Sequence, residues 1–474
     1  MTRKKRLAII GAGPSGLAVA WGLAEQAEWE VTILESSSEV GGLSRTLERH
    51  GLRFDIGPHR LSAQLPEMLT EVQTLLGDDL EEKENHHAVY IHGMLYRYPP
   101  CWQDFLNPTS VRNTVLFGGS WLMARAKSAF ARLASFAGQG PQTFDEILLN
   151  AFGHRFCTTV IFPMIKKVWG TRDLHADFAR IRFQLPTVVS FILRFFSKRA
   201  RLNSRYFYYP VNGFGAIWQR IGRHIGEHGH RVVFSATIRR IKAESLQGPF
   251  QVYYLCQGVE DCLEADLLVS TISNRDLLGY LHGIPGAQSA TREIENFPSR
   301  TLRLGLMLVR NFHLATRVVI FPEEAYIFNR ISEMNQFADL GYPADQALLM
   351  VDVIMDRESP YHDLPDQEFE RVLLESVLAL GWFKEEDVCR MFSIKVPDAY
   401  PVLEPRRYEA QERVAACFAD TNILLCGREA STDYNNAHNA IAKGFMAARY
   451  ITGAISREEF AESAAIIGRL PIQD

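Results

Sequence analysis

The chain has 474 residues, 47% of them hydrophobic and 22% charged, and a net charge of −4. These values fit a globular protein of about two or three domains. They exclude a disordered chain, a collagen-like repeat and a coiled-coil rod, and they leave nucleic-acid binding without a basic footprint. Seven cysteines, at positions 101, 157, 256, 262, 389, 417 and 426, form no CxxC pair. That argues against a zinc ribbon or a disulfide scaffold, expects no metal, and fits a reducing, cytoplasmic compartment.

Arg3, Lys4, Lys5 and Arg6 precede an apolar stretch, 7–23, in the manner of a secretory leader, but glycines 11, 13 and 16 and Pro14 interrupt it. The better reading is a strand over 7–10, a glycine turn, and a helix with Leu17, Ala20, Trp21 and Ala24 on its apolar side. A second strand over 30–34 ends in Glu35, completing a βαβ unit. Helical periodicity dominates 66–203. An α/β pattern returns over 210–274, with a helix through Trp218 and Ile221 and strands at 231–241, 250–255 and 263–271. Residues 300–400 carry strands at 302–308, 347–354 and 388–396 and a helix near 367–380. A strand at 422–426, a polar loop and a helix over 437–451 follow, then a charged helix and tail after Ser456. The expected organisation is α/β: one Rossmann-type domain assembled from 1–65, 210–290 and 405–455, a helical insertion over 66–209, and a mixed α/β substrate domain over 291–404.

No segment reads as a transmembrane helix. The apolar stretch 115–137 is broken by Arg125, Lys127 and Arg132, and 188–196 is too short to span a bilayer. Lys198, Arg199 and Arg201 follow the latter, leaving two readings, a core-packed helix or peripheral contact with a membrane surface. Oligomeric state is not legible.

The chemistry begins at the glycine turn. Gly11, Gly13 and Gly16 form a G-x-G-x-x-G with Pro14 and Ser15, after a strand and opening a helix. Gly11 allows the turn, Gly13 lets the backbone approach a pyrophosphate, and Gly16 lets helix and strand pack closely. The helix N-terminus suits the phosphates, and Glu35, 19 residues past Gly16, suits ribose hydroxyls. Gly41 and Gly42 with Arg45 and Thr46 follow. A second glycine pair with an arginine suited to a diphosphate exceeds what NAD binding needs. Gly57, Pro58 and His59 then form a fixed turn.

These segments resemble the FAD enzymes of the amine oxidase and protoporphyrinogen oxidase superfamily. The resemblance implies FAD as cofactor, with Gly41, Gly42 and Arg45 in the second dinucleotide-contact loop and His59 near the isoalloxazine. It also implies Val233 and Ile238 in a strand pair at the adenine end, and 265–271 in a strand returning beneath the cofactor. Gly427 and Arg428 would precede a final helix whose N-terminus, at Asn436 and Ala437, points at the flavin. A positive helix end there would stabilise an anionic reduced flavin. Between these pieces, Phe152 to Arg155, Lys167 to Thr171, Leu174 to Asp177 and Arg180 to Arg182 are similar to UDP-galactopyranose mutases and to the bacterial proteins called protoporphyrinogen-oxidase-like. The resemblance covers about residues 7–451. It departs from the mutases at 180–186 and at Tyr434, Asn435 and Asn436.

Two activities follow from the resemblance. One is an FAD-dependent oxidoreductase, in which flavin N5 takes a hydride from a C–H or C–N bond of a small-molecule substrate and oxygen or another acceptor reoxidises it. The alternative is a nucleotide-sugar mutase in which reduced FAD attacks an anomeric carbon, with Arg180, Arg182, Arg300 and Arg428 holding the diphosphate. A flavin-holding protein without turnover and a flavin-free NAD dehydrogenase are weaker readings, the latter for want of a second G-x-G-x-x-G. The expected pocket and catalytic residues are His59, Tyr208, Tyr209, Tyr400, Arg428, Tyr434, Asn435 and His438, with no base singled out.

Overall fold

The structure is a computed structural model, and it describes residues 3–98, 108–134, 143–183, 206–281, 283, 284, 287, 291, 297–430 and 436–470. The chain divides into two compact units: Met1–Glu82 with Tyr208–Phe297 and Arg406–Leu470, and Lys83–Phe207 with Pro298–Pro405 and Pro471–Asp474.

A five-stranded parallel sheet organises the first unit, in the order Ile423–Leu425, Leu267–Ser270, Lys5–Ile10, Trp29–Leu34, Arg231–Val233. Residues Leu7 to Ile10 are almost fully buried, as an unbroken apolar run in a sheet covered on both faces must be. The chain leaves the central strand first toward Trp29–Leu34 and later returns on its other side as Leu267–Ser270. Ligands of open α/β sheets bind at such a switch point, beyond the carboxyl ends of the strands. A three-stranded antiparallel sheet, Ala236–Lys242, Phe250–Cys256 and Val259–Ala265, packs Phe250, Val252 and Tyr254 into the core beside Ala8, Ile10 and Leu34.

Two expected single strands are each two strands in different sheets. The run 231–241 breaks after Val233 at Ser235, which has φ 53°, and continues in the antiparallel sheet. The run 263–271 breaks at Asp266, whose carboxylate accepts from the Arg6 backbone N–H at 2.8 Å. A period-two pattern survives a change of sheet, so the alternation did not reveal the break.

A seven-stranded sheet forms the second unit: Val388–Pro401, Ser299–Arg310, Gln346–Met355, Arg330–Glu333, Val318–Ile320, His87–Ile91, Met94–Tyr98. All its pairs are antiparallel except Val318–Ile320 with His87–Ile91. The helix Asp366–Leu378 lies on it through Phe369, Leu373 and Val377. It approaches so closely that a Cβ on Gly305 would stand 2.2 Å from Leu373 Cδ2. The expected separation of helical insertion and mixed domain differs from these units. His87–Ile91 and Met94–Tyr98 carry the 83–207 segment into the same sheet as 298–405, while Pro66–Leu76 belongs to the first unit. The two strands are joined through His92 and Gly93, both at positive φ, a two-residue hairpin turn.

Among the described residues no helix is long and apolar enough to cross a membrane. The stretch 188–196 and its basic neighbours lie outside the described residues.

Candidate functional site

At the carboxyl end of the central strand the chain turns at Gly11, φ 98°, whose N–H donates to Leu34 O at 2.9 Å. Gly13 caps the helix Pro14–Gly22, and Pro14 occupies the first turn, where a missing N–H costs nothing. A Cβ on Gly16 would lie 2.1 Å from Gly11 O, so only glycine lets the helix sit this close to the strand. A Cβ on Gly13 would meet nothing within 4 Å. Its backbone therefore faces open space in front of a helix N-terminus, and the first-turn N–H groups there have no intrahelical acceptor.

The walls of that space come from sequence-distant loops. Glu35 is buried, with Oε2 accepting from Ala12 N–H at 2.7 Å and Oε1 accepting from the Ser37 N–H and hydroxyl at 2.8 Å each. Gly41, φ 108°, donates to Ala12 O at 2.8 Å, and a Cβ on Gly42 would stand 3.3 Å from Gly13 Cα. The second glycine loop is thus laid directly on the first. Arg45, half-buried, reaches back to Gly42 O at 2.9 Å.

Asp55 anchors this loop from beneath. Fully buried, it accepts from the Thr46 hydroxyl, from Tyr209 OH at 2.5 Å, and from Phe214 N–H at 3.1 Å on each carboxylate oxygen. Thr46 Oγ1 in turn accepts from Gly215 N–H at 2.9 Å, and Trp218 Nε1 donates to Ser44 O at 2.9 Å. Burial pushes the Asp55 carboxyl up despite these donors, and burial together with Asp55 pushes the Tyr209 phenol well up. Sequence reasoning assigned no role to Thr46 or Asp55. Apart from the bond between the two, their partners Tyr209, Phe214 and Gly215 lie more than 150 residues away, and no local pattern could have shown that pairing.

Gly57, φ 89°, donates to Asp55 O at 2.9 Å. The turn continues through Pro58 to His59, whose Nε2 lies 2.9 Å from Ile56 O and 3.1 Å from Leu43 O. Two carbonyl acceptors put the ring proton on Nε2, and the ring packs on Phe214 at 5.1 Å.

The last segment closes the site. Gly427, φ 114°, brings backbone within van der Waals reach of Ser15: a Cβ there would stand 3.3 Å from Ser15 Oγ. Half-buried Arg428 follows. The helix Ala437–Ile451 begins at Asn436, whose side chain and that of Asn439 cap each other's backbone. It runs alongside Pro14–Gly22 in the same sense, with Gly444 against Ser15 O and Ala18 Cβ and Ala448 against Gly22. With Gly444 level with Ala18 and Ala448 with Gly22, Ala437 lies about four residues of about 1.5 Å rise ahead of Ser15, so its N-terminus projects about 6 Å past that level. His438, in the first turn, is buried with Nδ1 3.4 Å from Arg60 O.

Gly11, Gly13, Pro14, Ser15, Gly16, Glu35, Gly41, Gly42 and Arg45 are therefore brought together in one contact network at the glycine turn, with open space at Gly13. Val233 is adjacent to Glu35, its carbonyl accepting from Glu35 N–H at 2.9 Å. Ile238 sits elsewhere: its side chain is in the core with Leu34, Val252 and Leu268. Tyr209 is wholly buried on Asp55 and Tyr208 OH donates to Glu82 at 2.8 Å, so the Tyr209 hydroxyl lines no pocket. Tyr400 belongs to the second unit, opposite Arg300 in the sheet. Tyr434 and Asn435 lie outside the described residues. Among the described residues no group of histidine, cysteine and acidic side chains could hold a metal ion.

A dinucleotide fits these residues: open space at Gly13 for a pyrophosphate, a buried carboxylate at Glu35 beside it, and a guanidinium at Arg45. The comparisons agree. The family model described as flavin containing amine oxidoreductase matches residues 14–452. A 4,4'-diapophytoene desaturase of Staphylococcus aureus strain MRSA252 is 35% identical over 97 residues, 20% of this chain and 19% of that protein. The chain thus aligns with 15–19% of the length of the curated relatives it matches. Reduced UDP-galactopyranose mutase superimposes with a TM-score of 0.79 at 19% identity, covering 99% of this chain and 98% of the other. A protein provisionally assigned as protoporphyrinogen oxidase from Exiguobacterium sp. 255-15 gives 0.69 at 17% identity, over 95% and 99% of the chains. A putrescine oxidase variant gives 0.60 at 16%, over 95% and 99%. At such identities these structures establish a shared fold. With the family model spanning nearly the whole chain, and the glycine turns and Glu35 framing the space a dinucleotide needs, the cofactor is FAD and the chain belongs to the flavin-containing amine oxidoreductase family.

Proposed function

We propose that the protein is an FAD-dependent oxidoreductase that oxidises a C–H or C–N bond of a small organic substrate, the reduced cofactor being reoxidised by oxygen or another acceptor. The observation that carries the reading is the space at Gly13, framed by Glu35, Gly42 and Arg45. When bound, FAD supplies the two-electron acceptor that no side chain provides. Gly13 and the first-turn N–H groups of Pro14–Gly22 would hold the pyrophosphate with Arg45. Glu35 would accept from the ribose hydroxyls beside the Ala12 and Ser37 donors it already holds. The N-terminus of Ala437–Ile451 carries a partial positive charge, which would favour negative charge on a flavin held in front of it. His59 keeps its Nε2 proton on two backbone carbonyls and so orients a loop instead of exchanging protons through that atom.

The nucleotide-sugar mutase stands as a second reading because reduced UDP-galactopyranose mutase shares the fold over 99% of the chain. Arg300 weighs against it. Arg300 is buried, paired with Asp356 at 3.1 Å and donating to Lys167 O and Ile354 O. A guanidinium so committed does not offer a bidentate face to a diphosphate.

Anaerobic mixing of the oxidised holoenzyme with amines, porphyrinogens, polyene precursors and nucleotide sugars separates the two. Loss of the visible flavin band with a C–H or C–N donor is the expected result. Turnover of a nucleotide sugar by the chemically reduced enzyme alone, with no bleaching by any donor, overturns the oxidoreductase reading in favour of the mutase.

A further inference from the structure

The helix Pro108–Ala134 of the second unit is arranged the wrong way round for a globular protein. Its inward side is aromatic and polar: Phe117 meets Phe156 edge-on at 5.5 Å, Trp121 Nε1 donates to Ala151 O at 3.0 Å, and Ser128 Oγ donates to Asn150 Oδ1 at 3.2 Å. Packing on that side is tight, since a Cβ on Gly153 would stand 2.8 Å from the Ser120 backbone. Its outward side is aliphatic. Val115 is 67% exposed, Leu116 38%, Leu122 61% and Met123 71%. Their positions, one, seven and eight residues on from Val115, put them on one helical stripe with Gly119 and Ala126, both exposed, between and beyond them. Among the described residues no other nine-residue stretch gathers more than one exposed large apolar side chain. Isolated exposed apolar residues need no explanation, whereas a contiguous patch does.

Charge identifies what the stripe meets. The chain carries a net charge of −4, yet Pro108–Ala134 holds Arg112, Arg125, Lys127 and Arg132 and no acidic residue. Exposed Lys127 borders the stripe, and Arg125 is drawn over the Trp121 ring at 5.7 Å. An apolar stripe edged by cations, on a helix that does not qualify as a membrane span, suits the boundary between headgroups and acyl chains of an anionic bilayer. Its four exposed large apolar side chains fall well short of the roughly 20–30 residues that each partner contributes to a stable protein interface. A bilayer accepts a small apolar insertion supplemented by electrostatic attraction; a second copy of this chain would meet the same cations.

We propose that the outer face of this helix, Val115, Leu116, Leu122 and Met123 with Lys127 beside them, docks the protein on an anionic lipid surface. Vesicle flotation of the FAD-loaded full chain tests it, using phosphatidylcholine vesicles with and without phosphatidylglycerol. The wild type floats with the anionic vesicles, less with the neutral ones, and is partly released by salt. The Leu122→Glu, Met123→Glu double variant, with its flavin spectrum unchanged, binds anionic vesicles about tenfold less. Should that variant fail to fold, Lys127→Glu is read instead, and its release is expected at lower salt. A wild type that stays in solution with both vesicle types overturns the proposal, as does a folded variant that floats like wild type. A wild type that sediments as a dimer without vesicles, with a monomeric double variant, overturns it in favour of a second copy.

Discussion

Two glycines three positions apart in one turn serve different ends, and substitution separates them. Gly13 has φ −74° and open space where a side chain would go, so Gly13→Val leaves stability within about 1 kcal/mol of wild type. It fills the pyrophosphate space, and the purified protein is expected colourless. Gly16→Val drives a side chain into Gly11 O and costs about 3 kcal/mol or more in urea unfolding of the apoprotein. Equal loss of flavin and equal stability in both variants would show that the open space at Gly13 is not the cofactor's. Tyr209→Phe tests the anchor under the second glycine loop. It leaves Asp55 with fewer donors in a buried site and costs about 1–3 kcal/mol, read as a lower urea midpoint. The motif residues were legible because the glycine turn, the helix start and the next strand all fall within a few tens of residues. Asp55 was not, because what it does depends on Tyr209 and Phe214, which only folding brings near.

Among elements, the pairing of Ala437–Ile451 with Pro14–Gly22 carries the most consequence for the site, since it aims the projecting helix N-terminus. Small residues permit it: Gly444 lies over Ser15 and Ala18, and Ala448 over Gly22. Gly444→Val puts a branched side chain where a Cβ alone would already stand 2.6 Å from Ala18 Cβ. The expected cost is about 2–3 kcal/mol with weakened FAD retention on dialysis; an unchanged thermal midpoint and full flavin content would contradict this packing. The helix Arg457–Gly468 is opened by a capping box of Ser456 and Glu459. Ser456→Ala is expected to cost about 1 kcal/mol without loss of flavin. Both helices were expected from periodicity. Their mutual packing was not, because a glycine on a helix face reads as a weak helix former until the neighbour that requires it is seen.

For the molecule as a whole, pH acts through His230, which ties parts of the first unit that are far apart in the chain. Its Nδ1 accepts from Val31 N–H at 3.2 Å while Nε2 lies 3.2 Å from Ala24 O, an arrangement that requires the neutral ring. Burial lowers its pKa, outweighing the carbonyls of Ala24 and Leu23 that raise it. The unfolded chain therefore binds the proton more readily. This contribution to stability is complete above the ordinary histidine value of about 6.5 and is lost as pH falls through the lowered folded value. Urea midpoints at about pH 7.5 and about pH 5.5 should differ more for wild type than for His230→Gln. Equal differences would assign the acid sensitivity to other groups.

The amino-acid sequence alone determined the cofactor turn, the second glycine loop and the strand–turn–helix order that presents them. Those features are met within a few tens of residues, by positive φ, by a glycine where backbones touch, and by buried apolar runs. Tertiary structure decided which strands share a sheet, why 83–207 and 298–405 form one unit, that Tyr209 is an anchor and not a pocket wall, and that Arg300 is spent inside the second unit. Each of those outcomes rests on partners tens to hundreds of residues away. Chain entropy leaves such encounters unspecified until the whole core has formed.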